Sequence, residues 1–124
     1  MKDKFKYSFD NKTEILYKYY FGVITLEDIT SSWDDAIREG LIPENTKGFI
    51  LDYRQATFQI ELNETSGIAD YYHSHLEIFG EKKIAIITKS PEQVMVPSLV
   101  ELKDDGYSSR PFYTLSAAVS WVLS

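Results

Sequence analysis

The sequence contains no cysteine among its 124 residues. That absence excludes disulfide bonds, thiol catalysis and thiolate metal sites, and it suits a reducing compartment. The six glycines are scattered singly, so the chain lacks a glycine-rich phosphate loop and a dinucleotide-binding fingerprint. A Gly-x-Ser-x-Gly nucleophile elbow is missing as well. The sequence therefore predicts no cofactor and favours a non-enzymatic protein; an enzyme is the third hypothesis, because a fold alone never excludes one.

Long apolar runs and an excess of basic residues are also missing. No run approaches the roughly 20 apolar residues of a membrane-spanning helix, and the opening residues MKDKFK lack the apolar segment of a secretory signal. We therefore expect a cytoplasmic protein without membrane insertion. The 19 acidic and 13 basic residues give a net charge of −6, which disfavours a nucleic acid as partner. The length and the hydrophobic fraction of 44% fit one globular domain spanning residues 1–124.

One basic cluster stands near the start, where Lys2, Lys4 and Lys6 alternate with Phe5 and Tyr7. We interpret the cluster as the solvated face of an edge strand, since lysines there discourage pairing with another chain. A phosphate-binding patch is the alternative.

The first half of the chain predicts a hairpin followed by a helix. Aromatic residues alternate with polar ones over 5–9 and again over 15–21, and Asp10-Asn11-Lys12 supplies a turn between them. Thr25 is placed to cap a helix whose apolar residues recur at helical spacing up to Gly40. That amphipathic helix should lie on a sheet.

Two uninterrupted apolar runs predict inner strands. Phe49-Ile50-Leu51 switches abruptly to Asp52, and Ile84–Ile87 leads to Thr88. We expect the two strands to lie side by side and parallel, with their polar ends at the same edge. Ligands and partners gather at the carboxyl ends of such strands. The predicted ligand or partner surface is therefore made of Asp52, Arg54, Thr65, Ser66, Gly67, Thr88 and Ser90.

The remaining segments complete an alternating pattern. Helical spacing runs from Ile68 to Phe79, with a start between Asn63 and Thr65, while residues 58–64 fit either an extended segment or an irregular loop. Ser90-Pro91 starts another helix, in which Pro97 implies either a kink or a true start near Val96. A short strand over 110–113 and a last helix capped by Thr114 follow. The prediction is an α/β domain with a mixed, mostly parallel sheet of about five strands and about four helices.

This order of elements, with three short passages, resembles the STAS domain family, the fold of bacterial anti-sigma-factor antagonists and of uncharacterised single-domain relatives. The passages are Phe49–Asp52, Ile84–Glu92 and Pro111–Ala118. The resemblance implies a non-enzymatic regulatory module that binds a protein partner or a second copy of itself.

The resemblance also implies a phosphorylation switch. Members that act as phospho-switches start the second crossover helix with an acidic residue, a phosphorylatable Ser or Thr, a small polar residue, Gly and an aliphatic residue. Glu64-Thr65-Ser66-Gly67-Ile68 matches that motif, which makes Thr65, with Ser66 beside it, the candidate phosphoacceptor. A helix N-terminus accommodates a phosphate through its free N–H groups and its dipole. The alternative is that Thr65 and Ser66 simply cap the helix.

A function of another class is a carrier or sensor of a lipid or an anionic metabolite. Tyr17, Tyr19 and Tyr53 would then form an aromatic wall near the strand ends. Metal binding is not predicted, because His73 and His75 stand two apart on a helix and point in nearly opposite directions. We interpret Asp52 and Arg54 as a structural ion pair. The alternative is that the two residues bind a ligand.

Overall fold

A five-stranded sheet is the frame of the fold, and the computed structural model describes it within residues 3–124. The strands are β1 (Phe5–Asp10), β2 (Ile15–Ile24), β3 (Gly48–Phe58), β4 (Lys83–Ile87) and β5 (Ser108–Phe112). The helices are α1 (Leu26–Arg38), α2 (Thr65–Ser74), α3 (Leu76–Phe79), α4 (Pro91–Glu101) and α5 (Leu115–Leu123), and a 3-10 turn spans Leu62–Glu64.

The strands lie in the order β1-β2-β3-β4-β5, antiparallel between β1 and β2 and parallel elsewhere. Leu51 of β3 lies opposite Ile86 of β4, so the two apolar runs are neighbours at the middle of the sheet and point the same way. The predicted hairpin and the predicted mixed, mostly parallel sheet are confirmed.

Side chains leave the sheet alternately on two faces, which bury different cores. The four-helix face is the side covered by α1 to α4. Its strand residues include Leu16, Tyr20, Phe49, Leu51, Tyr53, Ile84 and Ile86, packed on Ile29, Trp33, Ile68, Tyr72, Phe79, Val96 and Val100. The α5 face is the opposite side, where Ile15, Ile50, Ala85 and Ile87 pack on Ala118 of α5.

The predicted cap of α1 is present. The Thr25 hydroxyl accepts a hydrogen bond from the Asp28 N–H, and the Asp28 carboxylate accepts one from the Thr25 N–H. This reciprocal pair satisfies N–H groups that the first turn leaves free.

Strand β3 is longer than predicted. Asp52 lies opposite Ile87 at the end of β4, yet β3 continues to Phe58 by pairing with the long strand β2. The prediction that the strand ends at Asp52 is therefore wrong. Of the uncertain residues 58–64, the first belongs to the strand and the last three form the 3-10 turn.

Two helix predictions also need correction. The single helix predicted up to Phe79 is divided at His75, which leaves helical geometry with φ −127° and ψ 47°. Residues 3–124 therefore contain five helices, which is consistent with the predicted count of about four. Helix α4 runs from Pro91 through the buried Pro97 to Glu101, so a start near Val96 is wrong.

The basic cluster is only partly a solvated face. Lys2 lies outside the described residues. Lys6 is exposed. The Lys4 side chain is instead held by two hydrogen bonds, because its Nζ donates to Val23 O and to Asp28 Oδ2, both at 2.9 Å. Its ammonium thereby joins β1 to the start of α1.

Candidate functional site

The start of α2 holds the two candidate phosphoacceptors in different environments. Thr65 is 2% exposed, and its hydroxyl donates to Leu62 O at 2.8 Å. Ser66 is exposed, and its Oγ lies 3.5 Å from Asn63 O, at the limit of a hydrogen bond. Both hydroxyls point back to carbonyl groups and neither accepts from a helix N–H, so the alternative that they cap the helix is wrong.

The turn before α2 is fixed by its own contacts. The Glu61 N–H donates to the Glu64 carboxylate at 2.8 Å in a capping box. Gly67 lies against Leu26 of α1, where an added Cβ would come 2.9 Å from Leu26 Cδ2. This close approach sets the position of the first turn of α2 relative to α1.

Asp52 and Arg54 form the predicted ion pair. The guanidinium donates from Nε to Oδ1 at 3.0 Å and from Nη2 to Oδ2 at 2.7 Å, and the Arg54 N–H also donates to Oδ1. The neighbouring carboxylate raises the pKa of Arg54. The pair lies where the register between β2 and β3 shifts, so the irregular backbone is held by a charged side-chain bridge.

Sheet geometry separates this pair from α2. Ile50 belongs to the core of the α5 face and Tyr53 to that of the four-helix face, so alternation puts Asp52 and Arg54 on the α5 face. Gly67 instead packs on α1, which covers the other face. The predicted residues therefore lie on two surfaces.

The segment between the end of β4 and the start of α4 presents few exposed polar groups that could bind a ligand. Thr88 is fully buried, and its N–H donates to Phe112 O at 2.9 Å. Ser90 makes no capping hydrogen bond through its side chain. The Gln93 side chain instead joins this end to β3, accepting from the Lys89 N–H and donating to Ala56 O.

The aromatic wall predicted for a carrier does not form. Tyr17 and Tyr19 stack on each other, with ring centroids 6.3 Å apart, and Tyr17 packs against the core of the α5 face. Tyr53 is buried on the other face and stacks on Tyr20 at 3.9 Å. The sheet itself stands between them.

Sequence reasoning missed Lys18, a fully buried lysine of β2. A signal was present, because Lys18 alternates with Leu16 and Tyr20, which both face the larger core. The aromatic residues at 15–21 predicted instead that the opposite side of the same strand packs on the core. From Ile15 to Phe21, both sides of β2 are in fact buried or half-buried.

Metal ligands do not converge anywhere in residues 3–124, where no group of three His, Cys, Asp or Glu side chains could hold an ion. His73 Nδ1 lies 3.2 Å from Asp105 O, and His75 Nδ1 lies 2.8 Å from Tyr71 O. Over the same residues, every helix is too short or too polar to span a bilayer.

Comparisons with known proteins identify the fold. No family model matches the chain, and no curated protein matches its sequence significantly. An uncharacterised DUF3478-family protein from Shewanella loihica PV-4, with a SpoIIAA-like fold, is similar in structure. Its TM-score is 0.63 at 17% identity, over 95% of this chain and 91% of that chain. The anti-sigma factor antagonist SpoIIAA in its unphosphorylated form gives a TM-score of 0.50 at 15% identity, over 95% of this chain and 96% of that chain. The chain therefore has the SpoIIAA-like fold, which confirms the resemblance inferred from the sequence.

Proposed function

We propose that the chain is a non-enzymatic regulatory module of STAS type, which binds a protein partner through the start of α2 and is switched by phosphorylation there. The fold is that of SpoIIAA, which is named for antagonising an anti-sigma factor and was described in an unphosphorylated form. A cytoplasmic location, as expected from the sequence, fits such a regulator.

The exposure of Ser66 is the observation that carries the proposal. Thr65 and Ser66 both remain candidate phosphoacceptors, but a kinase would reach Ser66 without disturbing the helix. The Thr65 hydroxyl is buried and already bonded to Leu62 O, so its phosphorylation would require the first turn to open. A phosphate on Ser66 would meet the favourable end of the helix dipole.

The neighbourhood of Ser66 suits a contact that a phosphate can abolish. Leu62, in the preceding turn, is 56% exposed, which gives a partner an apolar anchor. Phosphorylation would add up to about two negative charges beside that anchor and near Glu64. A partner seated on Leu62 would then have to bury an unpaired charge, which is costly. The partner is a protein or a second copy of this chain.

The experiment uses the purified chain as bait in extracts of the cells that make it. The wild type and Ser66→Ala should capture the same partner, and Ser66→Glu should lose it, with affinity falling by about tenfold or more because a charge enters the interface. Ser74→Glu is the matched control, since Ser74 is an exposed serine at the other end of α2. Equal capture by Ser66→Glu and the wild type would contradict the proposal.

The carrier function finds no comparable support. The cavity between the sheet, α2 and α4, lined by residues such as Tyr53, Tyr72 and Pro97, measures about 20 Å³, which holds about one water molecule. The cleft beside Tyr19, Asp52 and Arg54 measures about 220 Å³, but neither Tyr17 nor Tyr53 lines it.

A further inference from the structure

Lys18 is a buried amine without a counter-charge. It is fully buried on β2, and no carboxylate in residues 3–124 forms an ion pair with it. Its Nζ has one hydrogen-bond partner, donating to Ser32 Oγ of α1 at 2.5 Å. The Ser32 hydroxyl in turn donates to Ile29 O at 2.9 Å. A buried charge is normally paired, so this lysine needs an explanation.

Four aromatic rings enclose the amine. Nζ lies 3.9 Å from the ring centroid of Trp33, 4.8 Å from Tyr20, 5.0 Å from Phe5 and 5.5 Å from Tyr7. Burial in this apolar cage lowers the pKa of Lys18 well below its usual range. A desolvated lysine in a hydrophobic pocket is how proteins obtain a neutral, nucleophilic amine near neutral pH.

A groove leads toward the cage from outside. It has a volume of about 390 Å³ and runs between β1 and α1. Phe5, Tyr7 and Ser32 line the groove, and the same three residues contact the Lys18 amine. One layer of side chains therefore separates Nζ from the groove. Part of that layer belongs to β1, an edge strand paired only with β2.

The charges around the groove select the kind of molecule that enters. Among residues 3–124, four carboxylates line it, from Asp3, Asp28, Asp35 and Glu39, against one lysine, Lys4, which is already paired with Asp28. Anions are therefore disfavoured, and the aromatic walls suit small apolar groups.

We propose that Lys18 is a carbonyl-reactive site, which forms an imine with small uncharged aldehydes or ketones that enter through this groove. The Nζ lone pair attacks the carbonyl carbon while one of the amine protons passes to the carbonyl oxygen, giving a neutral carbinolamine. The nitrogen then gives up its second proton as that oxygen leaves as water, which forms the C=N bond of a neutral imine. No oxidant or reductant is needed.

The cage and Ser32 both serve this reaction. The four aromatic rings keep bulk water away from the position of Nζ, which protects the imine from hydrolysis. The Ser32 hydroxyl lies within hydrogen-bond distance of Nζ and can pass a proton from the amine to the carbinolamine oxygen.

The test traps the imine in the folded wild-type protein. Propanal and sodium cyanoborohydride are added at pH 7, and propylated lysines are quantified by peptide mass spectrometry. An ordinary lysine with a pKa of about 10.4 is neutral in only roughly one molecule in 2,500 at this pH. We expect Lys18 to react about tenfold or more faster than the exposed Lys89 of the same molecule. Lys18 reacting no faster than Lys89 would overturn the proposal.

Two further arms locate the reaction. Lys18→Arg, which keeps the cation but cannot form an imine, should remove the modified peptide and leave the labelling of Lys89 unchanged. Glyoxylate, an aldehyde that carries a carboxylate, should react with Lys18 at least about threefold more slowly than propanal, relative to Lys89. An unchanged ratio between the two aldehydes would overturn the groove as the route of entry.

Discussion

The two faces of the sheet are built differently, although the same strands supply both. On the four-helix face, β3 sends Leu51 and Tyr53 into a core that four helices seal. On the α5 face the same strand carries Asp52 and Arg54, which line a cleft together with Tyr19. One nine-residue helix covers only part of that side. Stabilising side-chain packing is therefore concentrated on the four-helix face. The polar residues at the carboxyl ends of the strands are divided between the two faces of the sheet.

The largest expected loss of stability comes from replacing a tryptophan. The chain has two, one on each face of the sheet. Trp33 is fully buried and meets Phe49 and Phe79 edge to face, so Trp33→Ala should lower the free energy of unfolding by about 3–5 kcal/mol. Trp121 is half-buried on α5 beside Phe112, so Trp121→Ala should cost about half as much or less. Urea unfolding of the two variants measures the difference. Equal losses would show that the faces contribute alike.

The next prediction compares two glycines, one on each face, whose backbones lie close to a side chain of a neighbouring helix. An added Cβ at Gly48 would collide with Val122 of α5, so Gly48→Ala should displace the helix and cost about 1–3 kcal/mol. At Gly67 the same change meets the flexible end of Leu26, and alanine favours the helix, so stability should stay within about 1 kcal/mol of the wild type. Thermal unfolding reports both. A greater loss at Gly67 than at Gly48 would reverse this part of the comparison.

A third prediction removes the buried amine. Lys18→Met keeps the length of the side chain without the cost of desolvating the amine and removing its proton on folding, so we expect stability at pH 7 to rise by about 1–2 kcal/mol. Ser32 still donates to Ile29 O in the variant, so its hydrogen stays bonded. Chemical denaturation measures the gain. A loss of stability would mean that the four rings hold the cation more strongly than water does.

The pH dependence of that gain has a defined sign. Burial lowers the pKa of Lys18 in the folded state, so between that pKa and its ordinary value of about 10.4 the unfolded chain binds more protons. Wild-type stability from this group therefore rises with pH through that window and is lost as pH falls. The advantage of Lys18→Met should shrink as pH rises toward 10, and a constant advantage would contradict the lowered pKa.

The smallest effect concerns the charged pair on the α5 face. Arg54 is 42% exposed, so Arg54→Gln should lower the free energy of unfolding by only about 0.2–1 kcal/mol despite its bidentate geometry. Arg38→Gln, which breaks a more exposed pair with Asp35 on α1, should have no measurable effect. Denaturant titrations at low and high salt test this ranking. A loss well above about 1 kcal/mol for Arg54→Gln would contradict the small contribution expected of an exposed pair.

Local patterns were sufficient for the elements whose cause is local. The Thr25 cap, the hairpin and the apolar runs around Ile50 and Ile86 are set by residues within a few positions, and their predictions are confirmed. The length of β3 depends instead on a distant partner, because only β2 extends far enough to pair with residues beyond Asp52. A sequence pattern does not contain that information.

The candidate site was predictable by composition but not by placement. Asp52, Arg54 and Ser66 were identified from strand ends and a helix start, yet which face each occupies follows from how β3 packs between α5 and the other helices. Lys18 was missed for the same reason, since a lysine in a strand is expected to reach water. The position of α1 over β2, together with Phe5 and Tyr7 of β1, closes that route.

We propose that a phosphate at the start of α2 controls partner binding. The most direct measurement compares the affinity of the captured partner for the unmodified chain and for chains with phosphoserine incorporated at position 66 or at position 74. Phosphorylation at Ser66 should weaken binding by about tenfold or more, and phosphorylation at Ser74 should leave it unchanged. Equal affinity for all three chains would contradict it.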